Sequence, residues 1–128
     1  MTLSGFVKTA DWKNEKHVPV IACADAVSAA EPLEVTVTVG KEIAHPNTMG
    51  HHIAWIALHF VPDGMQRSIE MGRCEFSAHG ATADENGVAY TDSTLTVRIR
   101  LATAGTLHAT AYCNLHGLWT SEKAVALT

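Results

Sequence analysis

Strict alternation of apolar and polar residues is the feature that most limits what this chain can fold into. Leu33, Val35, Val37 and Val39 alternate with Glu34, Thr36 and Thr38 until Gly40 ends the run. Leu95, Val97, Ile99 and Leu101 alternate in the same way with Thr96, Arg98 and Arg100. Successive side chains of a strand point to opposite faces, so each run makes a strand with one buried and one wet face. Residues 53–61 are apolar on both alternations, as expected of a strand inside a sheet, and Pro62-Asp63-Gly64 closes it as a turn. Ala104-Gly105 marks another turn, from which residues 107–113 return as a strand. Residues 18–22, 73–77 and 124–127 are shorter candidates. No long stretch carries a 3.6-residue apolar period. The expectation is an all-β domain, an immunoglobulin-like antiparallel β-sandwich, whose strand order the sequence leaves open.

The length of 128 residues suits one domain spanning 1–128. Hydrophobic residues at 47% and charged residues at 17% fit a chain able to bury a core. Thirteen acidic against nine basic residues give a formal charge of −4, which argues against a nucleic-acid or other polyanion binder. The start shows no apolar segment of signal-peptide type before Lys8, Asp11 and Lys13. No window approaches the roughly 20 apolar residues of a membrane helix. A cytoplasmic protein with no membrane partner is expected. Cys23, Cys74 and Cys113 are an odd number and form no C-x-x-C, so free thiols or a metal thiolate are expected.

Histidine is in surplus, with eight copies. It is the commonest metal ligand and a proton carrier near neutral pH. Three segments concentrate the notable residues: Glu15-Lys16-His17-Val18-Pro19, His45-Pro46-Asn47-Thr48-Met49-Gly50-His51-His52, and Cys113-Asn114-Leu115-His116-Gly117-Leu118-Trp119. Each falls at an expected strand end or loop, where a rigid sandwich presents ligands. Cys113 and His116 can reach one ion across a turn, but structural zinc wants four ligands, usually with several thiolates. Here the further ligands could only be histidines, and a histidine-rich site with one thiolate points to redox-active iron or copper. His45 and His51 bracket a loop stiffened by Pro46. If His51 and His52 begin the 53–61 strand they face opposite ways, so only one easily reaches a given ion, and alternation does not say which.

These segments, EKHVPVI, HPNTMGHHIAWI and CNLHGLW, resemble the signature segments of the superoxide reductases, in order and in spacing, over essentially the whole chain. The resemblance is to the small one-iron form, the neelaredoxins. Desulfoferrodoxins are two-domain relatives with an added N-terminal rubredoxin-like iron domain, whose cysteine set is not found here. The resemblance implies one iron ion per chain, bound equatorially by His17, His45, His51 and His116 and axially by the Cys113 thiolate. It selects the first histidine of the doublet. It also implies Glu15 as the sixth ligand of oxidised iron and Lys16 as the group beside the open position.

The implied reaction is one-electron reduction of superoxide to hydrogen peroxide with uptake of two protons. Five protein ligands leave one position for the anion, and neutral imidazoles keep the site less negative than a carboxylate cage would. The thiolate pushes electron density toward the metal, as it does in haem enzymes. The ammonium of Lys16 attracts the anion and orders water for proton delivery. Resemblance further suggests a rubredoxin-like electron donor and a homotetramer. Pro46 and Asn47 are candidates for fixing the loop, Trp55 and Trp119 for packing near the ligands, and the Leu115 and His116 amides for donation to the Cys113 sulfur. His52, His59, His79 and His108 read as structural or surface residues, Cys23 and Cys74 as small buried hydrophobes, and Lys8, Lys13 and Lys41 as solvated charges.

Two rivals remain at this point. Blue-copper sites use two histidines, a cysteine and a weak axial methionine, but the last methionine is Met71, so none follows His116. A non-catalytic immunoglobulin-like binding module would leave the cysteine and histidine segments unexplained.

Overall fold

The computed structural model describes residues 1–80 and 89–128. Among these described residues, eight strands follow a short 3-10 turn at Leu3–Phe6: β1 Val20–Ala22, β2 Ala26–Val27, β3 Pro32–Thr38, β4 Ile53–Pro62, β5 Ile69–Glu75, β6 Thr94–Arg100, β7 Gly105–Cys113 and β8 Gly117–Leu127. They form a three-stranded sheet in the order β1-β3-β6 and a five-stranded sheet in the order β2-β8-β7-β4-β5. The expected all-β sandwich is thus the observed architecture, and among the described residues these strands pair antiparallel except for the two-residue parallel contact of β2 with β8.

The alternating runs supply the inner faces. In the β3–β6 ladder Leu33 opposes Ile99 and Val37 opposes Leu95, all four buried, while Glu34 opposes Arg98 on the outer face. Ile56, Leu58, Leu107 and Ala109 of the larger sheet are fully buried in the same core. Burial of such side chains is worth roughly 1.5–3 kcal/mol each and is the main force joining the sheets.

Four expectations about the strands are corrected. Residues 124–127 are only the end of β8, whose register with β7 runs from Gly117 to Val125. Thr120, Ser121, Glu122 and Lys123 hide it by supplying no apolar alternation. Gly105 belongs to β7 rather than to a turn. A side chain there would press into the Val61 carbonyl and the Phe60 ring. The strand placed at residues 73–77 begins earlier, at Ile69, and the one placed at 18–22 begins at Val20.

Two local features aim residues at one end of the sandwich. The β4–β7 register slips between Ile53 and Trp55, and such bulges re-aim the chain next to functional sites. The β7–β8 hairpin closes over three residues, 114–116, with Gly117 at φ 82, a left-handed conformation that glycine adopts without steric cost. Before β1 the chain lies along β8: Lys8 N donates to the Leu118 carbonyl at 3.0 Å, and Thr120 N donates to Lys8 O at 2.8 Å. That contact carries residues 9–19 toward the same end.

Candidate metal centre

Each expected ligand arrives from a segment the fold places at this end. His17 precedes β1, His45 and His51 lie in the β3–β4 connection, Cys113 ends β7, and His116 sits in the β7–β8 turn. The four imidazoles stand at the corners of a nearly equal-sided quadrilateral. Ring centroids are 4.8 Å apart for His17–His45, 4.8 Å for His45–His51, 5.0 Å for His51–His116 and 4.9 Å for His116–His17. The His17–His51 diagonal is 6.4 Å. Adjacent rings meet edge to face, with interplanar angles from 62° to 77°. His17, His51, His116 and the buried Cys113 bring their donor atoms within 4.8 Å of one another. Opposite donors around an ion with bonds of roughly 2.1 Å lie about 4.2 Å apart, so this spacing suits a single ion.

Hydrogen bonds select which nitrogen each ring presents. Glu15 Oε1 accepts from the His17 backbone N–H at 2.9 Å and lies 2.6 Å from His17 Nδ1, which fixes a proton on Nδ1 and frees Nε2. His45 Nδ1 donates to the Pro46 carbonyl at 2.7 Å, again freeing Nε2. The Nε2 atoms of His45 and His51 are buried without a hydrogen-bond partner among the described residues. Such orphaned nitrogens cost about 1–3 kcal/mol each, and a coordinated metal removes the cost. His116 presents Nδ1, 3.2 Å from His17 Nε2 and 3.6 Å from Cys113 Sγ. The donors brought close enough for one ion are those of His17, His51, His116 and Cys113; His45 is outside that close group, its ring edge to face with His17 and His51 and its Nε2 buried and unpartnered among the described residues.

Burial favours the neutral form of His17, His45 and His51, the form that binds metal. Burial pushes His45 down to about 4, helped by the charges of His17, His51 and Lys16 and opposed by the Pro46 carbonyl. Burial also lowers His17 and His51. For Glu15, burial acts upward, but the hydrogen bonds from His17 outweigh it and hold the carboxyl below its usual value. The positive charge of Lys16 contributes to the lowering of His17, His45 and His51. Glu15 sits on the outer nitrogen of His17 in this structure.

Of the aromatic candidates, Trp119 stacks on His17, with centroids 4.8 Å apart and planes 12° apart. Trp55 does not meet the ligands; it stacks on Tyr112 at 5.9 Å and lies under the Arg73 guanidinium. The Cys113 sulfur has His116 Nδ1 as its hydrogen-bond partner, and no donation from the Leu115 or His116 amides occurs among the described residues. Cys23 and Cys74 are half-buried and pack against the core rather than within it. His59 faces Glu70 and His108 faces Glu122 across neighbouring strands.

Sequence reasoning missed Asn114. Its Oδ1 accepts from His52 N at 2.8 Å, its N–H donates to His52 O at 3.1 Å, and its Nδ2 donates to Gly50 O at 3.0 Å. It ties the Cys113 turn to the His51 loop. No local signal reveals this, because its partners lie more than sixty residues away.

Comparison with known proteins agrees with this geometry. The family model described as desulfoferrodoxin matches residues 9–122. A neelaredoxin of Megalodesulfovibrio gigas is 52% identical over 129 aligned positions, covering 99% of each chain. The reduced-form structure of a superoxide reductase (neelaredoxin) from Archaeoglobus fulgidus is 47% identical, with a TM-score of 0.86 over 95% of this chain and 99% of that one. A crystal structure of a candidate superoxide reductase from Thermotoga maritima is 48% identical, with a TM-score of 0.95 over 100% of this chain and 98% of that one.

Proposed function

This chain belongs to the desulfoferrodoxin family, and on that premise we propose that it is a superoxide reductase working at a single iron ion held by His17, His45, His51, His116 and Cys113. The reaction is the transfer of one electron and two protons to superoxide, giving hydrogen peroxide. Bound ferrous iron supplies the electron. The observation that carries the reading is the quadrilateral of four imidazoles around a buried cysteine, with two orphaned Nε2 atoms. One soft thiolate and four imidazoles suit a redox-active transition ion better than magnesium or calcium, which prefer oxygen.

The chain's own residues divide the remaining work. His17, His45, His51, His116 and Cys113 would hold the ion and would leave room beside it for the anion. Lys16 draws superoxide to that position and orders the water that delivers protons. Glu15 orients His17 by accepting a hydrogen bond from its Nδ1–H, which leaves Nε2 turned inward. As sixth ligand of the oxidised state, the same carboxylate would have to let go of His17. Trp119 covers one face of the His17 ring and keeps water off it.

Among the described residues no helix is long and apolar enough to cross a membrane. The proposal takes a rubredoxin-like protein as electron donor and a cytoplasmic homotetramer as the working form. The deciding experiment is metal quantitation joined to superoxide kinetics on the reduced protein. One iron per chain and peroxide formed in step with iron oxidation support the reading. One copper would favour an electron-transfer protein, and no metal would favour a binding module.

A further inference from the structure

The second histidine of the doublet and the isolated His79 form a structure that the catalytic reading does not use. Their rings stack with centroids 3.6 Å apart and planes 9° apart. His79 is buried, with 6% exposure. Its Nε2 lies 2.7 Å from the Phe76 carbonyl, next to β5, and its Nδ1 lies 3.0 Å from Asn47 Oδ1. Asn47 stands between His45 and His51 in the chain, and its Nδ2 donates to the Thr91 carbonyl at 2.9 Å. That donation fixes the orientation of the amide: turned over, it would set its oxygen against the Thr91 carbonyl. Thr91 N in turn donates to Ala78 O at 2.8 Å. His52 Nδ1 donates to Thr48 O at 2.9 Å, closing the loop on itself.

We propose that His79 is a positioning residue for the metal site, acting as a strut from the end of β5 to Asn47 and His52. It rests on the reading that His45 and His51 hold the metal. The strut makes two kinds of contact with the loop on either side of His51: a hydrogen bond at Asn47 and a ring stack at His52. Together they restrict both the translation of the loop and the rotation of the doublet, so that His51 faces inward while His52 faces His79. This arrangement explains why a second histidine follows the ligand. His52 lies just before β4 begins and turns its ring onto His79 while His51 faces His116, and its ring becomes the loop's anchor. Residues that orient a ligand from outside change metal affinity by about 10–100-fold when removed.

The test uses the full chain, with and without iron. His79→Phe keeps an aromatic ring for His52 and removes the two ring nitrogens that face the Phe76 carbonyl and Asn47 Oδ1. His79→Gln keeps an amide donor for the Phe76 carbonyl or Asn47 and removes the stack. Asn47→Ala removes the strut from its other end. The first readout is backbone amide exchange in the metal-free chain. Residues 47–52 should exchange faster in His79→Phe and Asn47→Ala, His79→Gln should fall between them and the unaltered chain, and β3 and β6 should be unchanged. The second readout is iron release to a chelator, which should quicken by about 10–100-fold in His79→Phe, together with a shift in the visible spectrum of the Co2+-loaded protein. Loop exchange and metal release both unchanged, or faster exchange spread evenly through the sandwich, would overturn the strut. If the unaltered chain held no iron, the proposed function would fail, and loop exchange would still decide the role of His79. If His79→Phe did not fold, Asn47→Ala and His79→Gln would carry the same decision.

Discussion

Mild acid should destabilise the metal-free chain, and His45 should account for a measurable share of the loss. Its ring is pushed down to about 4 by burial first, with the charges of His17, His51 and Lys16 adding to it. An unfolded histidine titrates near 6.5. Between those values the unfolded chain takes a proton that the folded chain refuses. Stability is therefore full above about pH 6.5 and is lost as the pH falls toward about 4. From about pH 7.5 to about pH 5 the whole shift would correspond to roughly 2 kcal/mol. His45 is only half-buried, and discounting for solvent screening leaves about 1 kcal/mol. His17, His51 and His79 shift in the same direction, so the total acid sensitivity should exceed the His45 share. The lowered carboxyl of Glu15 also costs stability as the pH falls, but it is common to both proteins compared below and cancels between them. Urea unfolding of the metal-free chain and of His45→Gln at both pH values isolates the term. His45→Gln should lose about 1 kcal/mol less stability on acidification. Equal losses in the two proteins would refute the assignment of a depressed histidine to this corner. With iron bound, the same protonation appears as metal release, because only neutral imidazole is a ligand.

Other changes test the remaining parts of the site. Cys113→Ser should abolish the sulfur-to-iron charge-transfer band and superoxide turnover; an intact visible spectrum and intact kinetics would contradict the thiolate. Lys16→Ala should slow the reaction with superoxide and flatten its dependence on ionic strength while iron remains bound, as stopped-flow or pulse measurements across a salt series would show. Glu15→Ala should alter the oxidised spectrum and loosen His17, with a smaller effect on the rate. Gly40→Ala should weaken iron binding, because Gly40 has φ 86 and an added Cβ would come within 2.7 Å of the His45 backbone nitrogen; chelator titration would register it.

The alternating runs made β3, β6 and the buried β4 legible because each strand has a defined inner face. β8 escaped notice because its middle, Thr120 to Lys123, is polar on both alternations. It is held by β7 on one side and by Lys8 and β2 on the other, so backbone pairing rather than apolar contrast defines it. The β2 contact is two residues long and leaves no periodic trace at all. At the site, spacing explained why Cys113 and His116 can meet, since three loop residues and a left-handed Gly117 fold the hairpin back within ligand reach. It could not distinguish His51 from His52. That distinction comes from the resemblance and, in the structure, from His79, which occupies the other side and lies twenty-seven residues further along the chain.

The charge pattern takes the argument one step beyond ligand geometry. A chain with a formal charge of −4 must attract an anion through a local field, because at physiological ionic strength exposed charges act over roughly 8 Å. Lys8, Lys13 and Lys41 are exposed, as solvated charges should be, yet each rests on a tryptophan. Lys13 and Lys41 each lie 5.7 Å from the centre of the Trp12 ring, which joins the segment before His17 to the loop before His45. Lys8 lies 5.6 Å from the Trp119 ring, whose indole stacks on His17. An ammonium over an aromatic face gains about 0.5–1 kcal/mol at an exposed site, enough to bias where a long side chain spends its time. These three lysines lie along the segments that bring Lys16 and His17 into place, while Glu70 and Glu122 pair with His59 and His108 in the middle of the five-stranded sheet. Removing Lys8, Lys13 and Lys41 together should lower the salt sensitivity of the superoxide reaction beyond the effect of Lys16→Ala. An unchanged salt slope would confine the attracting field to Lys16 and the metal.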